Sequence, residues 1–159
     1  MGHAGARGAV PRPNGEQNPQ HDKNSALPAT HEMKMYLTER RQQLGQCSEQ
    51  LAVRLLKSEG YTIEAQNVRF PVGELDIVAR EGQALCFVEV RSTRSSEWGG
   101  PLASIGARKQ SRLVRAAHWY VSRHRDLPPE IRFDVVAITW HPTRPPTIEL
   151  IRGAFDASQ

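Results

Sequence analysis

The sequence predicts an α/β domain in which two helices flank a mixed central β-sheet, in the order α-β-β-β-α-β-β. Three observations predict it. A segment of helical periodicity opens the ordered part of the chain. Two β-rich runs meet at the short connection Glu81-Gly82. A second helical segment then separates that hairpin from two further strands. Elements with one apolar face must bury it, so the helices are expected to cover the sheet.

Residues 1–34 are rich in Gly, Pro, Asn and Gln, and their few aliphatics show no period. Such a segment buries too little apolar surface to offset its ordering entropy, so it is expected to be a disordered tail. Residues 35–156 are expected to form one domain, long enough to bury a real core. From about Tyr36 to Ser58, the residues Leu44, Cys47, Leu51 and Leu55 recur at spacings of three and four, which predicts a helix. Gly60 ends it. Tyr61 to Arg69 alternates through Ile63, Ala65 and Val68 as a strand, and Pro71 and Gly73 break it. Glu74 to Ala79 and Ala84 to Val90 form the hairpin. A loop over 92–103 leads to a helix from about Ser104 to His124, with Leu113, Ala117, Tyr120 and Val121 on one face. After Pro128-Pro129, Ile131 to Trp140 and Thr147 to Ile151 read as strands.

Composition narrows the function classes. The net charge of +4 and pI near 9.4 permit contact with nucleic acid without establishing it. No apolar run approaches the roughly 18 residues of a membrane span, and the first residues lack the apolar core of a signal peptide. No membrane partner is expected, and the expected location is the cytoplasm. Cys47 and Cys86 sit in apolar patterns and read as small buried hydrophobes, with no metal-ligand spacing around them.

The chemistry concentrates on the hairpin. Side chains two apart on a strand share a face, so Glu74, Asp76 and Val78 point one way, as do Leu85, Phe87, Glu89 and Arg91. With Glu81 and Gly82 as the central turn residues, Glu74 pairs with Glu89 and Asp76 with Phe87. Three carboxylates then share one patch. Like charges so close repel, and a cation removes the penalty. Oxygen donors without Cys or His favour Mg²⁺ or Mn²⁺, whose retained waters suit phosphodiester hydrolysis. The alternative is an exposed polar face on an edge hairpin. The apolar neighbours Cys86, Phe87, Val88 and Val90 argue for a central strand instead.

The run Val72-Gly73-Glu74-Leu75-Asp76-Ile77-Val78-Ala79, followed by Phe87-Val88-Glu89-Val90-Arg91, resembles the YraN family of bacterial proteins. The resemblance continues through Gly45 and Glu49, Gly60-Tyr61, Asn67 with Arg69, Lys109 with Arg112-Leu113, and Arg132-Phe133-Asp134-Val135-Val136. It spans about residues 40–155. It implies a restriction-endonuclease-like fold, similarity to Holliday-junction resolvases, and the PD-(D/E)xK nuclease pattern. Asp76 would be the motif aspartate and Glu89 the motif acid. Arg91 stands where the family usually carries lysine, and a planar guanidinium is a poorer match for a compact ammonium. Glu49, at the border of the first helix's apolar stripe, would be the helix acid that helps to hold metal.

Other residues admit two readings each. Lys109 faces the apolar side of the second helix, where it either snorkels or supplies the ammonium that Arg91 lacks. Arg108, Arg112 and Arg115, with Trp119, form either a phosphate-contact strip or a solvated basic face. Arg94 and Trp98 are loop candidates for nucleic-acid contact, and Asp134 is open to a purely structural role. Together these expectations describe a Mg²⁺- or Mn²⁺-dependent endonuclease. Asp76, Glu89, Arg91 and Lys109 are its catalytic candidates, Asp76, Glu89, Glu49 and Glu74 its metal candidates, and Arg94, Arg108, Arg112 and Arg115 its nucleic-acid candidates. DNA, branched DNA included, is the expected partner, with a homodimer suggested by analogy to resolvases. The rivals are a binding module that has lost cleavage and a protein-interaction module.

Overall fold

The computed structural model describes residues 30–94 and 105–157. Helix α1 (Thr30–Ser58) leads into strands β1 (Thr62–Phe70), β2 (Gly73–Glu81) and β3 (Ala84–Thr93). Helix α2 (Ala107–Val121) then precedes β4 (Glu130–Thr139) and β5 (Thr147–Phe155). The order is the expected one, and the arrangement is that of the restriction-endonuclease-like fold. Helix α1 begins at Thr30, so the expected tail is helical over its last five residues. Residues 1–29 and the loop holding Trp98 lie outside the described residues.

The five strands lie in the order β1-β2-β3-β4-β5. Neighbours are antiparallel except β3 and β4, which run parallel because α2 carries the chain back across the sheet. Each face of the sheet has its own core. Helix α2 seals one with Leu113, Ala116, Ala117 and Tyr120 against Leu75, Val78, Leu85, Phe87 and Phe133. Helix α1 seals the other with Ala52 and Leu56 against Ile77, Ala79, Cys86, Val88, Val136 and Ile138. Strand β3 is thus covered on both sides, as its apolar run implies.

Two expectations need correction here. The buried line of α1 is Ser48, Ala52 and Leu56, one residue round from the predicted stripe. Cys47 is therefore exposed while Cys86 is buried, and both are free thiols. Ser48 tolerates burial because its hydroxyl donates to Leu44 O at 2.8 Å and accepts from Trp140 Nε1 at 3.2 Å.

The hairpin register also differs. Glu81 pairs with Ala84, so the central turn residues are Gly82 and Gln83. Gly82 takes a φ of 58°, open to glycine without steric cost. Val78, and not Asp76, lies opposite Phe87. Sequence pattern placed the turn one residue early because Glu81 looks like a turn residue. In the fold its carboxylate is held within the sheet region by Arg132 and Arg152.

Candidate active site at the fork between β2 and β3

The β2–β3 ladder ends at Ile77 opposite Val88. Beyond it the strands part: β2 continues with β1 and β3 with β4. Asp76 and Glu89 are the first residues past the last pair, one on each arm of the fork. The Asp76 carboxylate bridges the gap, with Oδ2 accepting the Val90 N–H at 2.9 Å. Backbone distortion accompanies the fork. Asn67, which falls across from Asp76 between the Gln66–Ile77 and Val68–Leu75 pairs of β1 and β2, takes a φ of 52°. Leu75 and Val78 both enter the α2-side core although they are three apart, so strict alternation fails at Asp76.

Glu89 is buried, 2% exposed. Its Oε1 lies 2.9 Å from Lys109 Nζ and 3.6 Å from an Arg91 guanidinium nitrogen. Its Oε2 is buried with no hydrogen-bond partner. A buried polar atom in that state carries its full desolvation penalty and calls for a reason. Asp76 is half-buried. Burial chiefly, and then the Glu89 charge, push its carboxyl up to about 7; Glu49 adds to the rise, while the Val90 hydrogen bond and Lys109 oppose it.

Helix α2 brings Lys109 here because β2 starts close beneath it. A Cβ on Gly73 would meet Arg112 O at 3.3 Å and the Ala116 methyl at 3.7 Å, so glycine permits the close approach. Lys109 also lines a cleft of about 460 Å³ at the α2 N-terminus with Gly106, Arg108 and Arg112. Arg115 does not line that cleft; its Nε donates to Ser111 O at 3.4 Å. Trp119 packs away from it, under Arg123 at 4.1 Å and beside Phe70.

The other acids divide. Glu49, on α1, is near enough to act on Asp76, and its Oε2 accepts from Asn67 Nδ2 at 3.0 Å. Glu74 instead pairs with Arg69 at 3.2 Å, with 41% of its side chain exposed. The expected trio of Glu74, Asp76 and Glu89 is thus not assembled. Among the described residues no group of three or more His, Cys, Asp or Glu is placed to hold a metal ion. A divalent cation such as Mg²⁺ or Mn²⁺ still fits the donors present. Such ions are commonly held by one or two carboxylates, with water or phosphate completing the shell, and Glu89 Oε2 is an unclaimed oxygen donor.

Asp134 has a different role. It is fully buried and fully bonded, accepting from Tyr61 Oη at 2.9 Å, Arg132 at 2.8 and 2.9 Å, and Gly153 N at 2.9 Å. Arg132 also holds Glu81, and Arg152 ties Glu81 at 3.0 Å to Glu59 at 3.1 Å. This network joins β4, β5, the hairpin turn and the end of α1. Sequence reasoning offered Asp134 a structural part but missed Tyr61, Glu81 and Arg152. Only their side chains' reach across three elements would have shown it.

No helix among the described residues is long and apolar enough to cross a membrane. Comparison with known sequences matches residues 48–138 to the family described as Uncharacterised protein family UPF0102. A UPF0102 protein of Desulfosudis oleivorans is 47% identical over 118 residues, covering 74% of this chain and 94% of its own. One from Symbiobacterium thermophilum is 42% identical, with coverage of 72% and 97%. One from Syntrophotalea carbinolica is 41% identical, with coverage of 76% and 97%. The matched region runs from the buried turn of α1 through the fork, Lys109 and the Asp134 strand, and the chain belongs to the UPF0102 family, which is the YraN family its motifs resemble.

Proposed function

We propose that this protein is a metal-dependent endonuclease acting on DNA, with its reaction centre at the fork between β2 and β3. The observation that carries the reading is Glu89: a carboxylate buried beside Asp76, with one oxygen on Lys109 and the other unpartnered. Two carboxylates so placed repel, and a bound cation relieves the repulsion. Asp76 and Glu89 would hold Mg²⁺ or Mn²⁺, with Glu49 at the margin. The cation, when bound, supplies Lewis-acid polarisation of a phosphate oxygen and an acidified water. Lys109 keeps an ammonium at the same place to meet negative charge that develops on the phosphate. Arg108 and Arg112, beside it at the α2 N-terminus, would position the backbone through its phosphates.

A second reading has its own observation. The Lys109–Glu89 contact already neutralises the buried acid without a cation, which suits a binding module that does not cut. The deciding experiment incubates the purified chain with labelled duplex, single-stranded and four-way-junction DNA and Mg²⁺ or Mn²⁺, alongside Asp76→Ala. Cutting that disappears in Asp76→Ala supports the nuclease. Binding without Asp76-dependent cutting on every substrate supports the module.

A further inference from the structure

On the α1 side of the sheet, a few residues past Glu89 along β3, two adjoining clefts open. One, of about 350 Å³, lies between Leu37, Arg40, Arg41 and Leu44 of α1 and Arg94 at the end of β3. The other, of about 370 Å³, shares Arg40, Leu44 and Arg94 and adds Trp140 after β4. They form one groove, and its volumes are in the range of specific ligand sites. Among the described residues none of its lining is acidic.

Helix α1 makes the groove by overshooting the sheet. Residues 34–43 are exposed throughout, and Met35, Tyr36 and Leu37 are the large apolar side chains on that overhang. Arg40 lies over the Tyr36 ring at 5.5 Å. Three guanidiniums alternating with apolar and aromatic surface suit a ligand that is a chain of anions with flat apolar units. A nucleic-acid single strand has that chemistry, since its phosphates pair with arginine and its unpaired bases stack on aromatic and guanidinium planes. A duplex keeps its bases stacked internally and gains nothing from Leu37, Leu44 or Trp140. The groove lies on the opposite side of β3 from the α2 cleft, so the carboxylate pair stands between two basic surfaces.

We infer that this groove binds a single-stranded stretch of nucleic acid, while the α2 cleft takes the backbone of the adjoining duplex. The inference rests on the nucleic-acid part of the proposed function but not on cleavage. Fluorescence anisotropy of the full chain, with labelled oligothymidylate and a duplex of equal length across a salt series, tests it. The double variant Arg40→Ala/Arg41→Ala should lose about tenfold in affinity for oligothymidylate and flatten its salt slope by about 1.4, the value for two lost phosphate contacts on a single strand. Duplex affinity should change by less than about threefold. Arg94→Ala should act in the same direction, and all three side chains are exposed, so circular dichroism should be unchanged. Wild-type affinity for oligothymidylate in both variants would overturn the inference and leave the nucleic-acid reading standing. Equal losses on strand and duplex would also overturn it, as would displacement of the oligonucleotide by equimolar polyglutamate. Failure of the wild type to bind either nucleic acid would remove the proposed function and this inference together.

Discussion

Lys109 Nζ stands 2.9 Å from Glu89 Oε1, while Glu89 Oε2 on the same buried carboxylate meets no donor. The pair is therefore half-satisfied: one oxygen meets the ammonium from the helix, and the other is buried without a hydrogen-bond partner. Removing the ammonium should expose the cost of that arrangement. Losing one partner of a buried ion pair typically costs about 3–5 kcal/mol. Lys109 keeps a third of its side chain in solvent, so Lys109→Met should lose about 1–3 kcal/mol in urea unfolding. Adding Glu89→Gln to Lys109→Met should recover most of it. An unchanged midpoint in Lys109→Met would show that Arg91 or solvent neutralises Glu89 without the ammonium.

The acid beside it gives a pH signature. Asp76 is raised from 3.8 to about 7 in the fold, so between those values the folded state holds a proton that the unfolded chain has released. Stability of the metal-free protein should then fall as pH rises from about 4 to 7 and level off above that. Asp76→Asn should remove this slope and be the more stable protein at pH 7.5. Millimolar Mn²⁺ should raise the wild-type melting temperature at that pH and leave Asp76→Asn unmoved. A wild-type slope identical to that of Asp76→Asn would place the titration elsewhere.

Asp134 should behave in the opposite way. Although burial acts to raise its carboxyl, hydrogen bonds from Arg132, Gly153 and Tyr61 outweigh it and hold it below the usual range. A depressed carboxylate contributes stability that is present above its unfolded pKa and is lost as pH falls through its folded one. Asp134→Ala should cost about 3–5 kcal/mol and strip the wild type of that acid-limb contribution. Because Asp134 bonds Tyr61, Arg132 and Gly153 and none of the fork residues, nucleic-acid affinity per folded molecule should be unchanged in filter binding. A selective loss of affinity at full folding would assign Asp134 to the site.

Much of this was legible in the sequence, for identifiable reasons. Element order followed from periodicities of two and 3.6, and the both-sided burial of β3 from the unbroken run of Cys86, Phe87 and Val88. Asp76 and Glu89 were legible as neighbours even with the register misplaced by two, because both lie on the same hairpin. Glu74 was drawn in by assuming regular alternation. The fork at Asp76 breaks that alternation and sends Glu74 to Arg69. Lys109 was legible as facing inward, but its contact with Glu89 depends on how closely α2 approaches β2 at Gly73, a tertiary distance no local pattern encodes. Arg40 and Arg41 went unnoticed because they precede the predicted apolar stripe and acquire meaning only where α1 overhangs the ends of β3 and β4.

The basic strip of α2 divides in the fold, and its residues should divide in solution. Arg108 and Arg112 line the cleft that holds Lys109, whereas Arg115 is engaged with Ser111 O. Arg108→Ala/Arg112→Ala should weaken duplex binding and lower the slope of affinity against salt by about 1.8, the value for two lost contacts. Arg115→Ala should leave both within error. Equal effects of all three would mark a diffuse basic face.

The last expectation concerns which cation serves the phosphate. Arg91 stands at the motif position but is 3.6 Å from Glu89 Oε1, against 2.9 Å for Lys109. Its planar guanidinium is also broader and more weakly hydrated than an ammonium. Lys109 comes from a helix whose N-terminal cleft is itself lined by Arg108 and Arg112, so it reaches Glu89 from a basic side. In a protein that cuts, Lys109→Ala should lower kcat by about 100- to 1000-fold, the scale for removing one preorganised electrostatic group. Arg91→Ala should cost less than about tenfold, and Arg91→Lys should preserve or raise activity. Because Lys109→Ala also weakens the fold, the comparison belongs at a temperature where circular dichroism shows both variants folded. Lys109→Arg supplies the control: it keeps the charge and loses the compact ammonium, so partial activity would favour electrostatic stabilisation and full loss would show that the compact ammonium itself is required. A larger defect in Arg91→Ala than in Lys109→Ala would return the role to the motif position and leave Lys109 as the partner that keeps Glu89 buried.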